Sequence, residues 1–231
     1  MNTTFCGIEP LSLVDLDGKL ACTLFTNGCN FRCHFCHNKN LVLNKDIKEI
    51  SFEEIYNFLK LRKNMLEAVV ITGGEPTIYS NLEEKLQKIK DLGYYIKLDT
   101  NGSNPDVIIN LYKKGLIDYV AMDIKNTLSK YPLTCGNPHI NLLNIQKSIN
   151  FLKTSGISYE FRTTLVKEFH TLDDIKEIGI WIKDCPKYYL QKFVARESCL
   201  TESLTEINKN DALIYKNELQ KYFPNVFLRG Y

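Results

Sequence analysis

The 231-residue sequence lacks a run of about 18 consecutive apolar residues, which excludes a membrane-spanning helix. It lacks a strong excess of charge of either sign. Its 29 Lys and Arg against 27 Asp and Glu give a net charge of +2, so nothing in the balance calls for a polyanionic partner. The start, MNTTFCGIEP, lacks a basic stretch followed by an apolar one, so no signal peptide is expected. No Gly/Ser/Pro-rich linker or shift in composition divides the chain, and a single domain over residues 1–231 is expected. Together these absences point to a cytoplasmic protein with no membrane and no nucleic-acid partner. The charged fraction of 24% and apolar fraction of 44% are those of an ordinary globular chain long enough to bury a substantial core.

Cysteine is not lacking. There are eight, and a reducing cytoplasm argues against disulfides. Five of them (Cys6, Cys22, Cys135, Cys185, Cys199) are scattered and read as small buried apolar residues. The other three stand close together in TNGCNFRCHFCHNKN, as Cys29, Cys33 and Cys36, with His34 and His37 beside them.

Short apolar runs alternate with helical patterns. The runs are LACTLFT (20–26), AVVITGG (68–74), YYIKLDT (94–100), IDYVAMDIK (117–125), ISYEFRTTLV (157–166) and YYLQKFV (188–194), with a last short one, NVFLRG, after Pro224. Between them lie amphipathic segments. One opens on a Ser51–Glu54 capping box, one ends at Gly93, one runs from Pro105 to Gly115, and a final helix covers about 207–223. Connections of this length suit parallel crossovers, and runs apolar throughout suit strands buried on both faces. Six β/α units are too few for a closed eight-unit barrel. An open partial barrel and a doubly wound sheet both remain solutions, and both place a site at the carboxyl ends of the strands. The unusual residues fall at those ends: the three cysteines, then GGEPT, DTNG and MDIK, then Glu160 and Arg162 inside the fifth strand and Gln191 in the sixth.

Three clustered thiols admit three readings. A structural zinc ion needs a fourth ligand, which His34 or His37 would have to supply, and no second Cys/His pair follows in the chain. A redox dithiol would use Cys33 and Cys36 and leave Cys29 idle. An iron–sulfur cubane on three thiolates leaves one iron open to a small molecule.

The spacing C-x-x-x-C-x-x-C after the first strand of a β/α repeat, with Phe35 directly before the third cysteine, resembles the radical S-adenosylmethionine (SAM) superfamily. GIEPLSLVDLDGKLACTLFTNGCNFRCHFCHN, ITGGEPT, DTNG, MDIKNTLSKY, SINFLKTSGISYEFRTTLV and YYLQKFV together resemble the activating proteins of anaerobic ribonucleoside-triphosphate reductases, in their longer branch. The likeness covers roughly residues 7 to 195. It implies an open partial (β/α)6 TIM-like barrel of parallel strands with outer helices. Its cluster loop, 27–40, would carry one [4Fe–4S] cluster on Cys29, Cys33 and Cys36. The vacant fourth iron would take SAM, so His34 and His37 need not serve as ligands.

The same likeness implies roles along the rim. Gly73, Gly74, Glu75 and Pro76 would meet the SAM ammonium, and Phe35 would pack near the adenine. Asp99 and Asp123 would share a monovalent cation with the SAM carboxylate, with Thr100 and Asn101 beside them, and Lys125 would lie near the substrate. Arg162 would bind the SAM carboxylate or ribose, or else pair with Glu160. Gln191 and Phe193, on one face of the last strand, would lie near the adenine. The implied reaction is reductive cleavage of SAM to a 5′-deoxyadenosyl radical, which takes hydrogen from a glycine of the reductase or a related glycyl-radical enzyme, fed by a flavodoxin- or ferredoxin-like donor. A radical SAM enzyme acting on a small molecule, peptide or tRNA is the alternative, and a non-enzymatic zinc or thiol protein the remote one. No cysteine occurs between Asn40 and Ser51, which argues against an inserted second cluster.

Overall fold

The computed structural model describes residues 3–45 and 47–231. Its centre is one eight-stranded sheet whose strands lie side by side in chain order. β1 (Phe5–Ser12) pairs antiparallel with β2 (Ala21–Thr26). From β2 onward every pairing is parallel: β3 (Ala68–Gly73), β4 (Tyr95–Thr100), β5 (Tyr119–Asp123), β6 (Ser158–Leu165), β7 (Tyr188–Lys192) and β8 (Val226–Arg229). The sheet curls into an open partial barrel with free edges at β1 and β8, and the six expected strands are β2 to β7.

The expected helices form: α2 (Phe52–Arg62), α3 (Leu82–Asp91), α4 (Pro105–Lys113), α6 (Leu142–Thr154), α7 (Leu172–Ile182) and α8 (Lys209–Leu219). The capping box at Ser51 is present in both halves, and Thr171 with Asp174 makes a second at α7. Two single-turn helices, α1 (Lys39–Leu43) and α5 (Tyr131–Cys135), and a 3₁₀ turn at Pro76–Ile78 complete the set.

Strand alternation divides the buried residues into two groups. Outward-facing side chains such as Val69, Ile71, Ile96, Leu98 and Phe161 pack under the helices in the main core. Inward-facing Ala21, Ala68, Val70 and Tyr119 pack with Leu16 and Tyr95 at the amino-end floor of the lumen. The β1–β2 loop closes that floor. Asp15 accepts from Thr23 Oγ1 at 2.6 Å, and Asp17 accepts from Tyr189 OH at 2.8 Å. Among the described residues no helix is long and apolar enough to cross a membrane.

Candidate active site at the carboxyl ends of the strands

A cavity of about 290 Å³ opens where β2 to β7 end. Fourteen residues expected from sequence line it: Cys29, Cys33, Phe35, Cys36, Gly73, Gly74, Glu75, Asp99, Thr100, Asn101, Asp123, Lys125, Arg162 and Gln191. Two do not. Pro76 starts the 3₁₀ turn behind the wall. Phe193 is buried and stacks on His37, with ring centroids 5.4 Å apart. β7 ends at Lys192, so the alternation that would have put Phe193 on the face of Gln191 has already stopped. Sequence reasoning missed Phe31, His37, Asn38, Val42, Thr72 and Lys192 as lining residues. Thr72 was within reach, because it alternates with Val70 on the inward face of β3. Thr164, noted only as sharing a face with Arg162, also lines the wall.

The cluster loop is held by backbone bonds to several parts of the chain. Gly28 N–H donates to Leu41 O at 2.9 Å, and Arg32 N–H to Cys135 O at 2.9 Å. From the segment after β7, Leu200 N–H donates to Cys36 O at 3.2 Å and Thr201 N–H to His34 O at 2.9 Å. The GGEP turn meets the loop at its root, where Glu75 N–H donates to Gly28 O at 2.8 Å. A Cβ on Gly74 would fall 1.7 Å from Gly28 O, so only glycine fits there. Gly73, at φ +115°, would place one 2.4 Å from the Thr26 backbone.

Glu75 is 1% exposed, and both its oxygens are engaged by protein. Oε1 accepts from Thr77 N–H (3.1 Å), Thr77 Oγ1 (2.5 Å) and Thr100 Oγ1 (2.7 Å), and Oε2 accepts from Asn101 N–H (2.7 Å). Its carboxylate therefore ties the GGEP turn to the DTNG turn. Oε1 is filled by three donors, whereas Oε2 takes one and Glu75 still lines the cavity. Burial raises its pKa against the lowering effect of these bonds.

Asp99, Asp123, Lys125 and Arg162 form one network. The Arg162 fork donates from Nε to Asp123 Oδ1 and from Nη1 to Asp99 Oδ2 at 3.0 Å. Lys125 Nζ donates to Asp123 Oδ2 at 2.8 Å. The cation between the two aspartates is thus an arginine, and the partner of Arg162 is this pair rather than Glu160. Burial would raise the Asp123 carboxyl, but Arg162 and Lys125 outweigh it and hold the pKa at about 2. Lys125 is shifted the other way: burial would lower it, and Asp123 and Cys33 raise it well above the ordinary lysine range.

The donor set suits a thiolate-bound cluster. All three thiols are free. Phe31 N–H donates to Cys29 Sγ at 3.3 Å, and the Asn38 backbone donates to the Cys36 sulfur. The Lys125 charge lowers the pKa of all three. Burial still pushes the Cys29 and Cys33 thiols up to about 12, so metal must displace their protons on binding.

With this geometry in place, comparison with known proteins decides the family. The sequence pattern of the radical SAM superfamily matches residues 23–181. The chain belongs to that superfamily. A Methanocaldococcus jannaschii protein provisionally named a glycyl-radical enzyme activating enzyme is 33% identical over 99% of this chain and 97% of its own. The pyruvate formate-lyase-activating enzyme of Staphylococcus aureus is 29% identical over 63% of this chain and 62% of its own. These place this radical SAM enzyme in the glycyl-radical-activating branch. In fold, it resembles SuiB of Streptococcus suis, with a TM-score of 0.69 and 15% identity over 88% of this chain. The match spans 47% of SuiB, about half of that chain. Membership of the superfamily implies a [4Fe–4S] cluster and SAM as cofactors.

Proposed function

We propose that this radical SAM enzyme activates a glycyl-radical enzyme, and specifically an anaerobic ribonucleotide reductase or a close relative of one, by taking hydrogen from a glycine Cα. The observation that carries the reading is the meeting of three free thiols and the Lys125–Asp123–Arg162–Asp99 network on one cavity at the strand ends. In this reading residues 1–231 act as one catalytic domain in the cytoplasm, reduced by a flavodoxin- or ferredoxin-like donor.

Cys29, Cys33 and Cys36 would hold the cluster. When bound, it supplies the electron that cleaves the sulfonium of SAM and yields a 5′-deoxyadenosyl radical. Every other task falls to the chain. Lys125 and Arg162 bring two positive charges to a wall whose facing acids are Asp99 and Asp123. Arg162 binds both acids through Nε and Nη1, while its Nη2 makes neither bond. The SAM carboxylate is the anion that this fork would accept. A monovalent ion shared by Asp99 and Asp123 would have to compete with the Arg162 fork that already joins them. Glu75 holds the glycine turn to the turn after β4, and the backbone of Gly73 and Gly74 would meet the SAM amino end. Gln191 and Thr164, joined at 3.3 Å, offer polar groups to the nucleoside. Phe35 lines the same cavity, its ring centroid 5.7 Å from Lys125 Nζ.

The test is anaerobic reconstitution followed by mixing. The protein should take up about four irons per chain and cleave SAM on reduction. With the host's anaerobic reductase it should then generate the EPR doublet of a glycyl radical. Cleavage without a doublet would exclude this partner, and a reconstituted protein inert towards SAM would overturn the whole reading.

A further inference from the structure

Below the cavity, the lumen carries charge where aliphatic side chains would ordinarily fill a barrel. Lys97 is 2% exposed and faces inward from β4, two residues before Asp99. Its Nζ donates to the Asp15 carbonyl of the floor loop. It stands 3.6 Å from Asp99 Oδ1 and 3.8 Å from Glu160 Oε1. These two oxygens are buried and accept no hydrogen bond. Each carboxylate spends its other oxygen elsewhere: Asp99 Oδ2 on Arg162, and Glu160 Oε2 on Tyr119 OH at 2.9 Å. Arg229 closes the column from β8, with Nη1 3.7 Å from Glu160 Oε1.

The charges therefore alternate in sign from neighbour to neighbour: Arg229, Glu160, Lys97, Asp99, Arg162, Asp123, Lys125. The last four line the cavity, whereas Lys97 does not. At 3.6 and 3.8 Å Lys97 acts on the two acids by charge rather than by hydrogen bonding. Without it, the buried Asp99 Oδ1 and Glu160 Oε1 would lose the one cation, among the described residues, that stands within 4 Å of both. Arg162 lies two residues beyond Glu160 on the same face of β6 and already binds Asp99. It would be drawn down from Asp123 and the cavity wall.

We propose that Lys97 is a positioning residue for the cofactor cavity. From the lumen it fixes Asp99, and through Asp99 it fixes the Arg162 fork that meets the carboxylate of SAM. The inference rests on the reading of this cavity as the SAM site.

Lys97→Met tests it in cluster-loaded protein, with iron content, SAM Kd by equilibrium dialysis without reductant, and KM and kcat of reductive SAM cleavage as readouts. Iron per chain should stay at the wild-type value. Kd and KM should rise about tenfold while kcat at saturating SAM falls less than about threefold. Lys97→Arg, which keeps the charge, should restore most of the Kd. A folded, iron-loaded Lys97→Met protein with wild-type Kd and KM would overturn the proposal. Should Lys97→Met not fold, Lys97→Gln, which keeps a donor for the Asp15 carbonyl and removes the charge, carries the same expectation and the same refutation. Wild-type protein that does not bind SAM would sink the reading of the cavity itself, a result distinct from a failure of the Lys97 inference.

Discussion

Cys29, Cys33 and Cys36 differ from the other cysteines in what surrounds them, for burial is common to most of the eight. They share one cavity, which none of the other five lines. His37 shares the cavity too, but its ring is stacked on Phe193. Replacing any of the three cysteines with alanine should therefore abolish iron uptake on anaerobic reconstitution, whereas His37→Ala should keep it. Iron lost from the His37 variant would restore a fourth protein ligand. Asp123 gives a prediction in pH. Its pKa is held at about 2, below the ordinary 3.8, so its ion pairs stabilise the fold above pH 4. That contribution is lost as pH falls through the interval between those two values, and amounts to about 2 kcal/mol. Unfolding of the metal-free protein in denaturant across that interval should show a shallower loss of stability in Asp123→Asn than in wild type. Equal slopes would mean that the ion pairs are not carrying the shift.

At the scale of elements, the site depends on two turns pressed together. The GGEP turn after β3 touches the root of the cluster loop at Gly28, and Glu75 locks it to the turn after β4. Gly74→Ala would drive a methyl group into a backbone carbonyl. The loops would have to separate, at a cost of about 1–3 kcal/mol in stability. A lowered melting temperature together with reduced iron retention would show that the two turns fold as one unit. Retention unchanged would show the cluster loop to be independent. The strands and helices that build these turns were legible in the sequence, because β2 to β7 are apolar runs and their helices carry caps. β1 was not: Gly7 and Pro10 disguise it, and an edge strand tolerates both. The site was legible wherever a polar residue broke an apolar run at a strand end. Partners were not. Nothing in the sequence shows the four donors that hold Glu75. Arg162 finds its acids on two other strands, and Phe193 lies just past the end of β7.

For the whole molecule, the cavity wall draws on the ends of six parallel strands, from the cluster loop after β2 to Gln191 on β7. The barrel is open, with free edges at β1 and β8, so no ring of hydrogen bonds closes it. A ligand seated on that wall contacts only the curled, native arrangement, because unfolding scatters its contacts over more than 160 residues of chain, from Cys29 to Gln191. Binding to the native state alone stabilises it by about 2.7 kcal/mol at a hundred times Kd. For a chain of this length each kcal/mol raises the melting temperature by about 2–4 °C, so SAM at that concentration should raise it by about 5–10 °C in cluster-loaded protein. The increment should shrink in Arg162→Lys, which keeps the charge but loses the fork. An anaerobic thermal melt with and without SAM reads both. A full increment in the Arg162 variant would move the carboxylate site away from the strand rim, and no increment in wild type would separate the cavity from SAM altogether.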